Sequence, residues 1–128
     1  MGGRGVTQKR VVAVVDDDES VRESLPDLLR SFGFSAYAYS SAEEFLSSDR
    51  AVQTEFLVLD IAMPGMSGLA LQQELKISGR DIPIVFITAS RDEAVRAQAF
   101  QEGAVAVLFK PFSDTALLEA LNAGLEAE

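Results

Sequence analysis

The chain has 128 residues, 48% of them hydrophobic, which suits one compact domain with its own core. Twenty acidic against eleven basic residues give a net charge of −9, which argues against a nucleic-acid or anionic-membrane surface. The absence of Cys and His excludes disulfides, thiolate metal sites, Cys nucleophiles and imidazole bases. Any chemistry must therefore use carboxylates, hydroxyls, lysine and a hard cation.

The beginning of the chain and its apolar runs bear on its location. Residues Met1–Arg10 are polar and Gly-rich and lack the apolar stretch of a signal peptide, so we expect a flexible N-terminus. The apolar runs elsewhere are far shorter than the roughly 20 residues that a membrane span needs. We therefore expect a cytoplasmic protein with a single domain over residues 1–128 and a core at about residues 11–125.

Short β-branched runs alternate five times with amphipathic stretches. The predicted strands are Val11–Val15, Phe34–Tyr39, Phe56–Asp60, Pro83–Thr88 and Val105–Phe109. Helices are predicted at residues 19–32, after a capping box of Ser40 and Glu43, at 68–77, at 92–102, and after a cap at Ser113. Strands that are apolar on both faces are typical of a parallel sheet covered on both sides. The predicted fold class is therefore α/β, a flavodoxin-like, doubly wound sheet of five parallel strands.

The chemically active side chains fall at the carboxyl ends of the predicted strands. Asp16 and Asp17 follow the first strand, Asp60 ends the third, Thr88 ends the fourth, and Lys110 follows the fifth. Each has an ordinary structural explanation when taken alone, since aspartates form turns and helix caps and threonine suits a strand. Ligands bind at this edge of an open parallel sheet, so their joint occurrence there favours a functional site.

The strand order can be argued from these carboxylates. In the order 3-2-1-4-5, the first and third strands are separated, and their carboxylates start about 10 Å apart. In the order 2-1-3-4-5 these strands are neighbours, and Asp16, Asp17 and Asp60 converge, so we predict the second order. Three clustered carboxylates repel one another, and oxygen ligands without His or Cys point to Mg²⁺ as the counter-charge. Lys110 and Thr88 beside Asp60 then indicate a phosphoryl pocket.

Four motifs occur in order along the chain. In Val58–Gly68, Met-Pro follows an aspartate closely and the last Gly stands eight residues after that aspartate. The other three are the acidic segment Val14–Asp18, the threonine segment Ile87–Ala89 and the lysine segment Lys110–Phe112. With these motifs nearly the whole chain resembles the receiver domains of bacterial response regulators.

This resemblance implies a phosphoryl acceptor and a metal site. Asp60 would attack the phosphorus of a phosphohistidine on a sensor histidine kinase or histidine phosphotransfer protein. Asp17, Asp60 and the backbone carbonyl of Ala62 would ligate Mg²⁺, and Asp16 would orient metal-bound water. The resemblance implies no enzyme acting on an external substrate, only a domain that promotes its own phosphorylation and dephosphorylation.

The resemblance also implies how the phosphoryl group is held. Lys110 and the Thr88 hydroxyl would contact its oxygens, helped by the backbone amides of Ala62 and Ala89. The family usually has a cis peptide bond between Lys110 and Pro111, although cis is found at only about 5–6% of such bonds in general.

One position departs from the family pattern. The family has an aromatic residue three positions before the lysine, where it fills space behind the threonine, and this chain has Val107. We expect phosphate binding to be intact and the usual aromatic output switch to be altered. Phe109 alternates with Leu108, so it either faces solvent as part of a partner surface or lies under the last helix.

Other functions fit the sequence less well. An aspartate-based phosphatase or phosphotransferase places its nucleophile in an Asp-x-Asp motif after the first strand and has a cap domain. A flavodoxin-like cofactor binder needs a phosphate-binding loop after that strand, which is absent here. A degenerate receiver scaffold, binding partners without phosphorylation, is disfavoured because all five site residues are present. Expected partners also include a downstream output protein, a fused DNA-binding domain outside this chain, or a second copy in a phosphorylation-linked homodimer.

Overall fold

The computed structural model describes residues 9–126, so the predicted flexible N-terminus lies almost wholly outside the described residues. The strands are β1 (Val11–Val15), β2 (Ser35–Tyr39), β3 (Phe56–Asp60), β4 (Ile84–Thr88) and β5 (Ala106–Phe109). The helices are α1 (Glu19–Ser31), α2 (Ala42–Ser47), α3 (Gly68–Ile77), α4 (Glu93–Gln101) and α5 (Asp114–Glu126), with a 3₁₀ turn at Asp49–Gln53. Three strands begin one residue later than predicted, a difference within the ordinary uncertainty of element boundaries.

The sheet confirms the predicted class and order. Its five strands are all parallel and lie in the order β2-β1-β3-β4-β5. Val15 of β1 pairs with Leu59 of β3, so Asp16 and Asp60 come next to each other at the carboxyl edge. The helix after β1 packs on one face of the sheet and the helix after β3 on the other. Ligands of open parallel sheets bind at the carboxyl edge between two such strands.

Each face of the sheet is covered by helices. In β1, Val12 and Val14 pack in the cluster that includes residues of α1 and α5, whereas Ala13 and Val15 pack in the cluster that includes residues of α2, α3 and α4. Because both faces are buried, the strand has no polar alternation and appears in the sequence as a continuous apolar run. Within the part of the chain that the structure describes, no helix is long and apolar enough to cross a membrane.

Side chains cap the starts of α1 and α5, the second of them at Ser113 as predicted. A side-chain oxygen of Asp18 accepts the Ser20 N–H at 3.0 Å at the start of α1. Ser113 Oγ accepts the Ala116 N–H at 3.0 Å at the start of α5. These bonds satisfy backbone donors that have no partner inside the helix.

The predicted capping box at Ser40 and Glu43 is wrong by one residue. Ser41 is the N-cap of α2, and its Oγ accepts the Glu44 N–H at 3.0 Å. Glu44 Oε1 in turn accepts the Ser40 N–H at 2.5 Å. Each of the two serines stands three residues before a glutamate, so the sequence allows both registers, and the structure places the extended N-cap residue at Ser41. Glu43 is thereby left free to bind elsewhere.

Candidate functional site

Three carboxylates meet at the carboxyl edge of the sheet, as predicted. Asp16, Asp17 and Asp60 each place one oxygen so that the three atoms lie within 4.8 Å of one another. Asp16 is 0% exposed and Asp60 5%, whereas Asp17 is exposed. They meet because β1 and β3 are neighbours and both strands end at this edge.

Lys110 reaches this cluster from the end of β5. Its Nζ lies 2.9 Å from Asp16 Oδ2 and 3.9 Å from Asp60 Oδ2. Asp16 Oδ2 is buried without a hydrogen-bond donor of suitable geometry among the described residues, so the ion pair with Lys110 compensates its charge. Although burial acts in the opposite direction, contact with Asp16 and the charge of Asp60 raise the pKa of Lys110 above its ordinary value. The Lys110–Pro111 peptide bond is cis.

The cluster carries more negative charge than Lys110 neutralises. Burial and the neighbouring charge of Asp16 raise the pKa of Asp60 from 3.8 to about 7, against the opposing effect of Lys110. A cation among the three carboxylates would remove this repulsion. All the donor atoms are hard oxygens, and the chain has no His or Cys, so the cluster fits a hard divalent cation.

The remaining predicted residues lie at the same edge. Thr88 is 3% exposed at the end of β4, and its Oγ1 accepts the Ser90 N–H at 3.0 Å, a bond within its own loop. The N–H of Ala62 lies 3.4 Å from Asp60 Oδ1. Ala89 follows Thr88 and is exposed. The structure therefore places these groups around the acidic cluster, with Thr88 bound to its own loop rather than to Asp60.

The loop that follows Asp60 packs closely against the start of α3. Gly68 donates its N–H to the Ile61 carbonyl at 2.9 Å. A Cβ on Gly68 would overlap the backbone oxygen of Asp60 and lie 2.9 Å from Ile61 Cα. The glycine eight residues after Asp60 is therefore required by close backbone contact.

The family model of the response regulator receiver domain matches residues 12–122. The chain belongs to this family. It is therefore a response regulator receiver domain of the kind found in two-component systems.

Several relatives of known name are similar to this receiver domain. Nodulation protein W of Bradyrhizobium diazoefficiens is 43% identical over 127 residues, which cover 99% of this chain and 56% of that protein. Transcriptional regulatory protein TdiR of Thauera aromatica is 43% identical over 114 residues, covering 89% of this chain and 50% of that protein. The chain thus spans about half the length of these curated relatives.

Solved structures agree with this assignment. The low-resolution structure of the response regulator StyR superposes with a TM-score of 0.85 at 48% identity, covering 94% of this chain and 61% of that one. The crystal structure of FixJ-N superposes with a TM-score of 0.84 at 38% identity, covering 94% of this chain and 96% of that one.

Arg22 is a residue of the receiver site that sequence reasoning missed. Its Nη1 donates to the backbone carbonyl of Asp16 at 3.1 Å, from the first turns of α1. The bond holds the turn after β1 and brings a second positive charge toward the acidic cluster. The only sequence signal for it was a basic residue shortly after the acidic segment, a pattern that surface helices also show.

Phe109 does not lie under the last helix, and its ring is only partly open to solvent. Phe109 is half-buried, pairs with Thr88 in the sheet register, and lies under the Arg91 guanidinium, which is 4.4 Å from the ring centroid. Phe109 shares a sheet face with Val107, which packs in the cluster of α2, α3 and α4, whereas α5 packs on the other face. The receiver domain therefore buries Val107 and covers Phe109 with an arginine from the β4–α4 loop.

Proposed function

We propose that this receiver domain accepts a phosphoryl group on Asp60 from a phosphohistidine of a sensor histidine kinase or histidine phosphotransfer protein. One observation carries the proposal: Asp16, Asp17 and Lys110 converge on the buried carboxylate of Asp60 at one edge of the sheet. An ordinary polar turn or helix cap would not bring a lysine from β5 to aspartates from β1 and β3.

The transfer itself requires an ionised Asp60. An oxygen of its carboxylate bonds to phosphorus as the bond from phosphorus to the imidazole nitrogen breaks, and the electron pair leaves with the imidazole. Lys110, with Nζ 3.9 Å from Asp60 Oδ2, is close enough to stabilise charge on the phosphoryl oxygens. When bound by Asp17, Asp60 and the Ala62 carbonyl, with Asp16 beside them, Mg²⁺ would supply positive charge for Asp60 and for the phosphoryl oxygens.

The neutral donors complete the pocket. Thr88 Oγ1 accepts the Ser90 N–H, so its own O–H proton is free to be donated to a phosphoryl oxygen. The backbone amides of Ala62 and Ala89 lie in the loops after β3 and β4 and would donate to the same group. Among residues 9–126 no segment covers the pocket as a substrate-binding cap would, and we therefore favour a phosphoacceptor over an aspartate-based phosphotransferase.

Output depends on partners beyond this domain. The relative TdiR is named a transcriptional regulatory protein and is about twice as long as the segment that matches this chain, which supports a downstream partner or a fused output domain outside the chain. Phosphorylation would change the surface that such a partner contacts, or the surface that meets a second copy of this chain.

The proposal is tested by weighing the intact protein after incubation with acetyl phosphate, with Mg²⁺ or with EDTA. We expect a gain of one phosphoryl group that requires Mg²⁺, and peptide mapping after reductive trapping of the acyl phosphate should place it on Asp60. Mg²⁺ binding without any gain would indicate a strict need for the cognate kinase, which the purified phosphohistidine donor would test. Absence of both would favour the degenerate scaffold.

Asp17→Ala should weaken Mg²⁺ binding by about tenfold or more, since the affinity of hard cations follows the number of charged ligands. Isothermal titration of the folded variant measures this, with exposed Asp49→Ala as the control for loss of a carboxylate elsewhere. An unchanged titration would move the direct ligand to Asp16 or Asp18.

Lys110→Ala should slow phosphoryl uptake by about 100-fold at saturating Mg²⁺, because it removes a charge that stabilises the transferring group. The time course of the mass gain measures the rate, and Lys76→Ala, which breaks an exposed ion pair with Glu102, is the control. Wild-type kinetics in the Lys110 variant would show that Lys110 pairs with Asp16 but does not stabilise the transferring group.

A further inference from the structure

Glu43 lies in the first turn of α2 and makes a long-range contact that the capping of this helix does not involve. Its Oε2 accepts the backbone N–H of Met66 at 3.0 Å, across 23 residues of sequence. The cap of α2 is made without it, by Ser41 and Glu44. Glu43 therefore connects α2 by a hydrogen bond to the loop that joins Asp60 to α3.

The path of that loop is adapted to this carboxylate. Gly65 has a φ of +73°, and a Cβ there would stand only 2.8 Å from Glu43 Oε2. The positive φ favours glycine at this position, and the absence of a Cβ lets the Glu43 carboxylate lie against the loop without moving aside. The next N–H, that of Met66, is then directed at the carboxylate.

The loop is held by buried side chains, those of Ile61 and Met63, and by backbone hydrogen bonds at its two sides. At its base, the Gly68 N–H donates to the Ile61 carbonyl at 2.9 Å. At its far side, the Met66 N–H donates to Glu43. Between these points lies Ala62, whose N–H is 3.4 Å from Asp60 Oδ1. Loss of the outer bond would release the exposed part of the loop around Gly65, whereas Ile61 and Met63 on either side of Ala62 would stay packed in the core.

We propose that Glu43 is a positioning residue for phosphoryl transfer, acting through the Met66 amide to hold the phosphoacceptor loop, residues 61–67, in the conformation that presents Ala62 to Asp60. The proposal rests on the function proposed above, since it assigns Glu43 to the same reaction. A hydrogen bond between a carboxylate and an N–H is stronger than a neutral one, but solvent exposure weakens it, so its loss should change a rate by a small factor.

The variants Glu43→Ala, Glu43→Gln and Glu44→Ala separate this role from helix capping. Glu43→Ala removes the acceptor, whereas the amide oxygen of Gln keeps it. Glu44→Ala removes a neighbouring carboxylate and its half of the capping box, the bond from the Ser40 N–H, but leaves the Ser41 cap and the bond to Met66 intact. Each purified variant is assayed for hydrogen exchange at the Met66 amide and for phosphoryl uptake from acetyl phosphate with Mg²⁺.

We expect Glu43→Ala to exchange the Met66 amide about tenfold faster and to take up phosphoryl several-fold more slowly, with Gln restoring both toward wild type. Glu44→Ala should leave both close to wild type, even where it lowers the denaturation midpoint. Equal effects of the two alanine variants, or unchanged uptake in Glu43→Ala, would overturn the proposal. Failure of the wild type to take up phosphoryl would instead count against the proposed function, and the exchange result would still decide whether Glu43 holds the loop.

Discussion

Asp60→Asn should abolish phosphoryl uptake and, without Mg²⁺, make the folded domain more stable. Uptake is lost because an amide oxygen does not replace the carboxylate nucleophile. Stability rises because the wild-type carboxylate is buried beside the like charge of Asp16, and the Lys110 ammonium, 3.9 Å away, offsets this repulsion only in part. Asparagine has similar size and removes a charge whose burial is unfavourable.

The pH dependence follows from the raised pKa of Asp60, about 7 in the folded domain against an ordinary value of 3.8. Between these two values the folded state binds more protons than the unfolded state, so the free energy of unfolding falls as pH rises. The unfavourable free energy of the buried Asp60 charge is absent well below pH 3.8 and fully present above about pH 7. Solvent reaches the site beside the exposed Asp17 and screens the interaction between the charges. We therefore expect the variant to gain about 1–2 kcal/mol of unfolding free energy above pH 7.

Urea denaturation in EDTA at about pH 4 and about pH 8 measures this gain, with exposed Asp81→Asn as the control. We expect the advantage of Asp60→Asn to be small at the acidic pH and larger at the alkaline pH. Added Mg²⁺ should reduce the advantage, because it stabilises the wild-type carboxylates preferentially. A variant that is less stable than wild type at alkaline pH would mean that Asp60 makes favourable contacts outweighing its burial.

Gly68→Ala should lower the free energy of unfolding by about 2–4 kcal/mol and impair phosphoryl uptake. The new Cβ would meet only backbone atoms, of Asp60 and Ile61, which cannot move aside as a flexible side chain can. Either α3 shifts away from the sheet or the carboxyl end of β3 is displaced, and both change the place of the acceptor carboxylate.

Gly79→Ala is the matched control, since a Cβ there meets nothing within 4 Å and the only cost is a φ of +77°. That backbone conformation costs an alanine about 1–2 kcal/mol. Urea denaturation of both variants compares the two effects, and the mass gain with acetyl phosphate reports the site. A smaller loss in Gly68→Ala than in Gly79→Ala, or unaltered uptake, would show that the loop relaxes around the added methyl group.

The position at which the family has an aromatic residue is occupied differently in this chain. Val107 is 9% exposed within the core cluster, so a small aliphatic side chain occupies the position of the expected aromatic. The nearest ring on that strand face is Phe109, opposite Thr88 and under Arg91. A change at Thr88 would therefore meet Phe109 and the loop that carries Arg91 first.

The sequence by itself determined the fold class, the strand order and the group of residues at the site. Continuous apolar strands alternating with amphipathic helices allow little except a covered parallel sheet. The order followed from chemistry, because Asp16 and Asp60 meet only when the first and third strands are neighbours. These features depend on local patterns and on a small number of possible sheet topologies, and both can be inferred without coordinates.

Only the tertiary structure decided which side chains contact one another across the fold. It moved the capping box of α2 by one residue, because both serine registers fit the sequence pattern and the helix begins after Ser41. It joined Glu43 to Met66 and covered Phe109 with Arg91, contacts that the sequence pattern did not indicate. Such contacts depend on how helices and loops are placed relative to one another in space, and an exposed glutamate or arginine looks the same in the sequence whether or not a partner lies within reach.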